Sequence, residues 1–166
     1  MIANFKTLLS AYAGWPVLLD SNLLLLHWCA ALDLGLLKTF KRLQGFTLDD
    51  VAILAEVLAG LGGVKTTPHV LTEVSNLANA LPSWKKSAWT NLFAQQIQVL
   101  DEIWQPAQTI LEDRAMGVFG LTDAALGRLA GSHLILSVDW PLCNYLAARG
   151  LATVNFHLLR HSVQPQ

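Results

Sequence analysis

The clearest strand signal in the sequence is LILSVD, residues 134–139. A short apolar run bounded by turn-forming residues is typical of a strand that is buried on both faces. The segment VLLD, residues 17–20, has the same form. We therefore expect two buried strands, each of which leads directly to an aspartate, Asp139 in one case and Asp20 in the other.

Helix signals separate these strands from weaker ones at 64–67 and 151–154. Thr47, Thr67-Pro68 and Thr122 are residue types that cap or begin helices. Helices are predicted over residues 23–37, 48–61, 68–81, 83–100, 105–117, 123–130 and 141–149. Short apolar strands that alternate with helices predict an α/β fold with three layers, in which helices flank a short central parallel sheet.

The composition excludes two classes of protein. The chain has 166 residues, 53% of them hydrophobic and 14% charged, and its formal net charge is −1. A disordered chain is poor in apolar residues, and a polybasic nucleic-acid binder carries a large positive charge. No Pro/Ser-rich linker divides the sequence, so we predict a single domain over residues 1–166. The apolar excess suggests that a partner covers part of its surface.

Neither a membrane span nor a disulfide is expected. The longest uncharged stretch, residues 87–100, has 14 residues and includes four amides, whereas a spanning helix needs about 20 apolar residues. The N-terminal apolar run is too short for a secretory signal. Cys29 and Cys143 lie in apolar runs without metal-ligand spacing, which predicts buried free thiols and a cytoplasmic location.

The placement of the acidic residues points to chemistry. Asp20 and Asp139 follow strand ends, Asp123 lies in the first turn of a predicted helix, and Glu73 lies in the second turn of another. In open parallel sheets, ligand sites gather beyond the carboxyl ends of the strands. Carboxylates that converge there repel one another unless a cation is present, and hard oxygen ligands suit Mg²⁺ or Mn²⁺. In the structural alternative, Asp20 only caps a helix and Asp123 only complements a helix dipole.

Four motifs, taken in order, resemble those of the PIN-domain family. They are VLLDSN (residues 17–22), TPHVLTEV (67–74), LTDAA (121–125) and LILSVDWPL (134–142), and TVNF (153–156) is similar to the closing strand of the family. The resemblance implies a three-layer PIN-like fold. It also implies a metal-dependent endoribonuclease, a hydrolase that cleaves single-stranded RNA phosphodiesters by metal-activated water and leaves a 5′-phosphate and a 3′-hydroxyl.

The resemblance also implies roles for individual residues. Asp20, Glu73, Asp123 and Asp139 would form the catalytic cluster and would hold Mg²⁺ or Mn²⁺. Asn22 and Ser137 would be polar supports. The family includes VapC-type toxins, which act as dimers and are neutralised by a small antitoxin protein. The implied partners are therefore single-stranded RNA, an antitoxin and a second copy of the chain.

The sequence departs from the compact toxin pattern in two segments. Residues 1–16 form an N-terminal extension before the first strand, and residues 81–120 form a long helical middle segment that contains Trp84, Trp89 and Trp104. The four acids are unaffected. A toxin and a stand-alone PIN protein both remain open as interpretations, as does a catalytically inactive PIN-like scaffold that serves dimerisation or binding of a peptide partner.

Basic and aromatic residues suggest how RNA would be held. Lys85 and Lys86 are candidate phosphate contacts, whereas a second basic cluster, residues 38–42, is expected to be a solvated face. Trp140 is expected to pack in the core, with base stacking as the alternative. His157 and His161 have helical i, i+4 spacing but no evident third ligand, so we interpret them as part of a polar tail.

Overall fold

The computed structural model of the protein describes residues 5–160. Five strands are present in that range: β1 (Val17–Leu19), β2 (Val64–Thr66), β3 (Asp101–Glu102), β4 (Leu134–Ser137) and β5 (Thr153–Asn155). The longer helices are α1 (Phe5–Tyr12), α2 (Ser21–Leu32), α4 (Leu48–Ala59), α5 (Pro68–Ala78), α6 (Ser83–Val99), α9 (Leu121–Leu129) and α10 (Trp140–Ala147). Short helices are α3 (Leu36–Thr39), α7 (Ala107–Ile110), α8 (Met116–Phe119) and α11 (His157–Arg160), with a 3₁₀ turn at Lys41–Leu43.

The strands form one parallel sheet in the order β3-β2-β1-β4-β5. Leu19 of β1 lies beside Leu136 of β4 in the register. Both central strands are fully buried, because helices flank the sheet and leave no face for water. The predicted α/β fold class with a short central parallel sheet is confirmed.

The described part of the N-terminal extension contacts the core through α1. Leu8 of α1 is fully buried. The turn into β1 is held by Gly62, whose N–H donates to the Trp15 carbonyl at 2.8 Å. A Cβ at Gly62 would lie 2.2 Å from the Gly14 carbonyl oxygen, so only glycine fits this approach.

Two predicted helices are wrong in extent, for the same physical reason. The first was expected to run to about Leu37, but α2 ends at Leu32, because the Asp33 carboxylate accepts the Gly35 N–H at 2.8 Å. The predicted helix 105–117 is two short helices, and Asp113 between them accepts the Ala115 N–H at 2.8 Å. An aspartate that bonds the backbone two residues on competes with helix formation.

Two further differences concern the site. The edge strand β3 was not predicted. It pairs with β2 through Lys65 and Thr66 and carries the chain after α6 back to the sheet. Thr122 does not cap α9: the helix begins at Leu121, after Gly120, which has a φ of 86°.

The predictions about the two cysteines and about a membrane span can also be compared with the structure. Cys29 and Cys143 are buried free thiols, as predicted. Burial raises the pKa of Cys29 to about 12, so this thiol is inert near neutral pH. Within residues 5–160, no helix is long and apolar enough to cross a membrane.

Candidate active site

The sheet order places a crevice between β1 and β4. From β1 the chain adds β2 and β3 on one side, and it then returns to add β4 and β5 on the other. Ligands of open α/β sheets bind at such a reversal, beyond the carboxyl ends of the two strands. Asp20 follows β1 and Asp139 follows β4. The strands that the sequence singled out therefore flank the crevice.

Asp20 is buried and serves two structural purposes at once. Its Oδ1 accepts the Leu23 N–H at 2.8 Å, which caps α2. Its Oδ2 accepts the Ser137 hydroxyl and, at 2.7 Å, the Val138 N–H. Burial raises the pKa of Asp20, and the charge of Asp139 adds to the rise, while these three hydrogen bonds oppose it. Asp20 therefore caps α2, as the structural alternative expected. Capping does not explain the hydrogen bonds that Asp20 also accepts from Ser137 and Val138 at the end of β4.

Ser137 links the two strand-end acids. Its hydroxyl donates to Asp20 and accepts the Asp139 N–H at 3.0 Å, and the side chain is fully buried. Asp139 in turn caps α10 through its Oδ1, which accepts the Leu142 N–H at 2.8 Å. Ser137 thus fixes Asp20 relative to the backbone of Asp139, as expected of a polar support.

Asp123 is the acid whose electrostatics involve the other three predicted acids. Its pKa is raised to about 7, first by burial and then by the charges of Asp139, Asp20 and Glu73. Asp123 is in the first turn of α9 and Glu73 is on α5, and these two helices pack together. Asp20, Glu73, Asp123 and Asp139, hereafter the acidic cluster, are therefore linked by the charge that the other three exert on Asp123.

The donor chemistry of the acidic cluster suits a hard divalent cation. The ligands are carboxylate oxygens, which Mg²⁺ and Mn²⁺ prefer, and a cation would relieve the repulsion that raises the pKa of Asp123. Within residues 5–160, however, no three His, Cys, Asp or Glu side chains are already grouped closely enough to hold a metal ion. Asp20 and Asp139 each accept backbone N–H groups on their carboxylate oxygens.

The other predicted residues differ in their placement. Asn22 is exposed in the first turn of α2, two residues after Asp20. Lys85 pairs with Asp33 at 2.7 Å, at the far end of α2 from Asp20. At a rise of 1.5 Å per residue, the two ends of α2 are roughly 20 Å apart. Lys86 is exposed beside Lys85 in the first turn of α6. The basic residues Lys38, Lys41 and Arg42 are exposed near the same distant end of α2, as expected of a solvated face.

The predictions for Trp140 and for the pair His157 and His161 can be compared with the structure. Trp140 was expected in the core, but it is 39% exposed, because Asp139 ends the buried segment and caps the helix that Trp140 begins. His157 is half-buried at the start of α11, and burial lowers its pKa. His161 lies outside the described residues.

Sequence reasoning missed a pocket beside Glu73. A cavity of about 510 Å³ is lined by side chains of α5, by Trp104 and Gln105 after β3, and by the start of α9. The proximity of these segments depends on β3, which is too short to give a periodic signal. The only hint in the sequence is a tryptophan and an amide directly before Pro106, where a loop is expected.

Comparison of the chain with protein-family models, with curated proteins and with solved structures gives no match. The acidic cluster and its chemistry therefore carry the functional argument.

Proposed function

We propose that this protein is a metal-dependent endoribonuclease of the PIN-domain type that cleaves single-stranded RNA. The observation that carries the proposal is the placement of Asp20 and Asp139 after β1 and β4, where the buried Ser137 hydroxyl joins them. Burial, and then the charges of Asp139, Asp20 and Glu73, raise the pKa of Asp123 to about 7. Acidic residues that repel one another are unfavourable for stability. A cation that they hold during catalysis supplies the reason for such an arrangement.

The acidic cluster would hold Mg²⁺ or Mn²⁺ through Asp20, Glu73, Asp123 and Asp139. Such an ion activates water for attack on a phosphodiester and stabilises the leaving oxygen. Ser137 and the backbone N–H groups of Leu23 and Val138 hold the Asp20 carboxylate in one orientation. The cap on α10 does the same for Asp139. Neither Asp123 nor Glu73 makes such a bond among the described residues.

The ends of the RNA products test this chemistry. Water as the nucleophile leaves a 5′-phosphate and a 3′-hydroxyl, whereas attack by the RNA 2′-hydroxyl leaves a 2′,3′-cyclic phosphate and a 5′-hydroxyl. We expect products that ligate without prior phosphorylation, measured by ligation and mass spectrometry after incubation with Mn²⁺. Cyclic phosphate ends would contradict the proposed role of the acidic cluster.

An inactive PIN-like scaffold is the second candidate, and two observations favour it. The described acids are not closely grouped for a metal, and several large apolar side chains are well exposed, among them Trp84 (75%), Val99 (77%) and Val118 (71%). Such side chains suit a surface that a partner covers. The homo-oligomer, the antitoxin, the toxin role and the cytoplasmic location stay predictions of the resemblance and the composition.

Thermal stability with Mn²⁺ separates the two candidates. Saturating ligand stabilises a folded protein by about 2.7 kcal/mol at a hundredfold excess over its Kd. We expect Mn²⁺ to raise the Tm of the protein and to leave that of Asp139→Asn much less affected. Asparagine keeps the α10 cap, so this variant changes the charge with little effect on the helix. Equal small shifts in both proteins would favour the scaffold.

A further inference from the structure

The cavity beside Glu73 adjoins the acidic cluster directly. Its walls are one face of α5 with His69 and Glu73, the segment with Trp104 and Gln105, and the first residues of α9. Glu73 belongs both to this wall and to the acidic cluster, so a molecule in the cavity would have one end at the cluster. The volume of about 510 Å³ is in the range of pockets that bind small ligands or parts of larger ones.

Trp104 supplies a flat apolar surface at this cavity. It is 73% exposed, so its ring is accessible to a ligand in the cavity. Aromatic side chains at nucleic-acid sites stack on unpaired bases, and each such contact contributes about 1–3 kcal/mol. The position of Trp104 on the cavity wall allows a planar ligand to lie against it.

Polar groups on the cavity wall can read the edge of such a ligand. The Gln105 amide nitrogen donates to the Ala125 carbonyl at 2.9 Å, which fixes this side chain and leaves its amide oxygen available. The Nδ1 atom of His69 is buried and has no hydrogen-bond partner among the described residues. A fixed amide beside an aromatic surface is the kind of group that orients a ligand in a largely apolar pocket.

The charge of the cavity decides which part of a nucleotide it suits. None of the described side chains that line it is a lysine or an arginine, and Glu73 is acidic. A phosphate would be repelled there, whereas a neutral planar group would not. The phosphate belongs instead at the acidic cluster, where a bound cation would attract it.

From this arrangement we propose that the cavity binds one unstacked nucleobase of the RNA strand, next to the phosphate that is cut. The inference rests on the proposed ribonuclease function and adds a base subsite to it. A base inside a duplex is stacked and paired, so it cannot enter the cavity. The subsite therefore gives this chain a physical reason to select single strands.

Binding of a fluorescent single-stranded RNA octamer tests the subsite without cleavage. The protein is titrated at low salt in Ca²⁺, a hard cation for carboxylate ligands that takes the place of Mn²⁺, with the same octamer annealed to its complement as the duplex probe. We expect Trp104→Ala to weaken single-strand binding about tenfold or more and Trp104→Phe to retain most of it. Trp84→Ala is the matched control, since Trp84 is 75% exposed but does not line the cavity. The duplex is expected to bind more weakly than the single strand.

Several results would overturn the subsite. They are equal affinities of Trp104→Ala and Trp84→Ala, equal binding of single strand and duplex, or no binding of the octamer by the unmodified protein. Measurement of RNA cleavage in Mn²⁺ distinguishes failure of the base subsite from failure of the proposed ribonuclease function. If RNA is cut with the same KM by both tryptophan variants, the ribonuclease stands and the subsite is wrong. If the octamer binds through Trp104 but no RNA is cut with any metal, base binding stands and the ribonuclease is wrong.

Discussion

At the scale of single residues, the pKa of Asp123 reports on the whole acidic cluster. The raised pKa means that folding favours the protonated carboxyl. The folded state therefore binds more protons than the unfolded chain between pH 3.8 and about 7, and stability falls as the pH rises through this window. Above about pH 7 the loss is complete, and below pH 3.8 it is absent.

Replacement of Asp123 by asparagine should remove this loss. In EDTA we expect Asp123→Asn to be more stable than the unmodified protein by about 1–2 kcal/mol at pH 8, a range reduced because the side chain is partly exposed to water. Near pH 4 the two proteins should differ little. Urea unfolding at both pH values measures this. Glu56→Gln, a change at an exposed acid of α4, is the control and should shift neither curve. A destabilised Asp123→Asn protein at pH 8 would show that the other acids do not repel this carboxylate.

At the scale of elements, the C-terminal helix α11 is tied to the start of α4 by one arginine. Arg160 donates to both oxygens of the Asp50 carboxylate, at 2.6 and 3.0 Å, and to the Gly45 carbonyl at 3.0 Å. Asp50 is nearly fully buried and also completes a capping box with Thr47. Loss of the arginine would leave a buried carboxylate with fewer partners.

We therefore expect Arg160→Gln to lower the free energy of unfolding by about 1–3 kcal/mol, in line with hydrogen bonds to charged groups. Arg114→Gln, at an exposed arginine with no partner among the described residues, should change it by less than about 0.5 kcal/mol. Denaturant midpoints of the two variants give the comparison. Equal midpoints would show that the Arg160 clamp contributes nothing to stability.

The elements also show where sequence reasoning succeeds. The strands β1 and β4 were predictable because they are short apolar runs that end at acids, and the helix starts at Thr47 and Thr67 because their side chains cap. The ends of α2 and the break between α7 and α8 depend on single aspartate-to-backbone bonds, which a periodic pattern does not reveal. The strand β3 has two exposed residues and depends on pairing with β2.

At the scale of the whole molecule, one part of the candidate site could be predicted from the sequence and another part could not. Asp20, Asp123 and Asp139 could be singled out because each follows a strand or begins a helix, and a parallel sheet brings such positions to one edge. Glu73 lies in the second turn of α5. The base subsite joins His69, Trp104 and the start of α9, which are far apart in sequence and carry no shared motif. Lys85, a candidate RNA contact, forms an ion pair with Asp33. Local sequence patterns do not reveal this pairing either.

The proposal that the acidic cluster holds a metal for RNA cleavage is tested most directly with a labelled single-stranded RNA. The comparison is between Mn²⁺ and EDTA, for the unmodified protein, Asp139→Asn and Glu56→Gln. Glu56 is exposed near the end of α4 that leads towards the start of β2, whereas Asp20 and Asp139 follow the carboxyl ends of their strands. The account predicts cutting in Mn²⁺ by the unmodified protein and by Glu56→Gln, and at least a hundredfold slower cutting by Asp139→Asn, as for loss of a major electrostatic contribution. Cutting that persists in EDTA, or that Asp139→Asn performs at the unmodified rate, would contradict it.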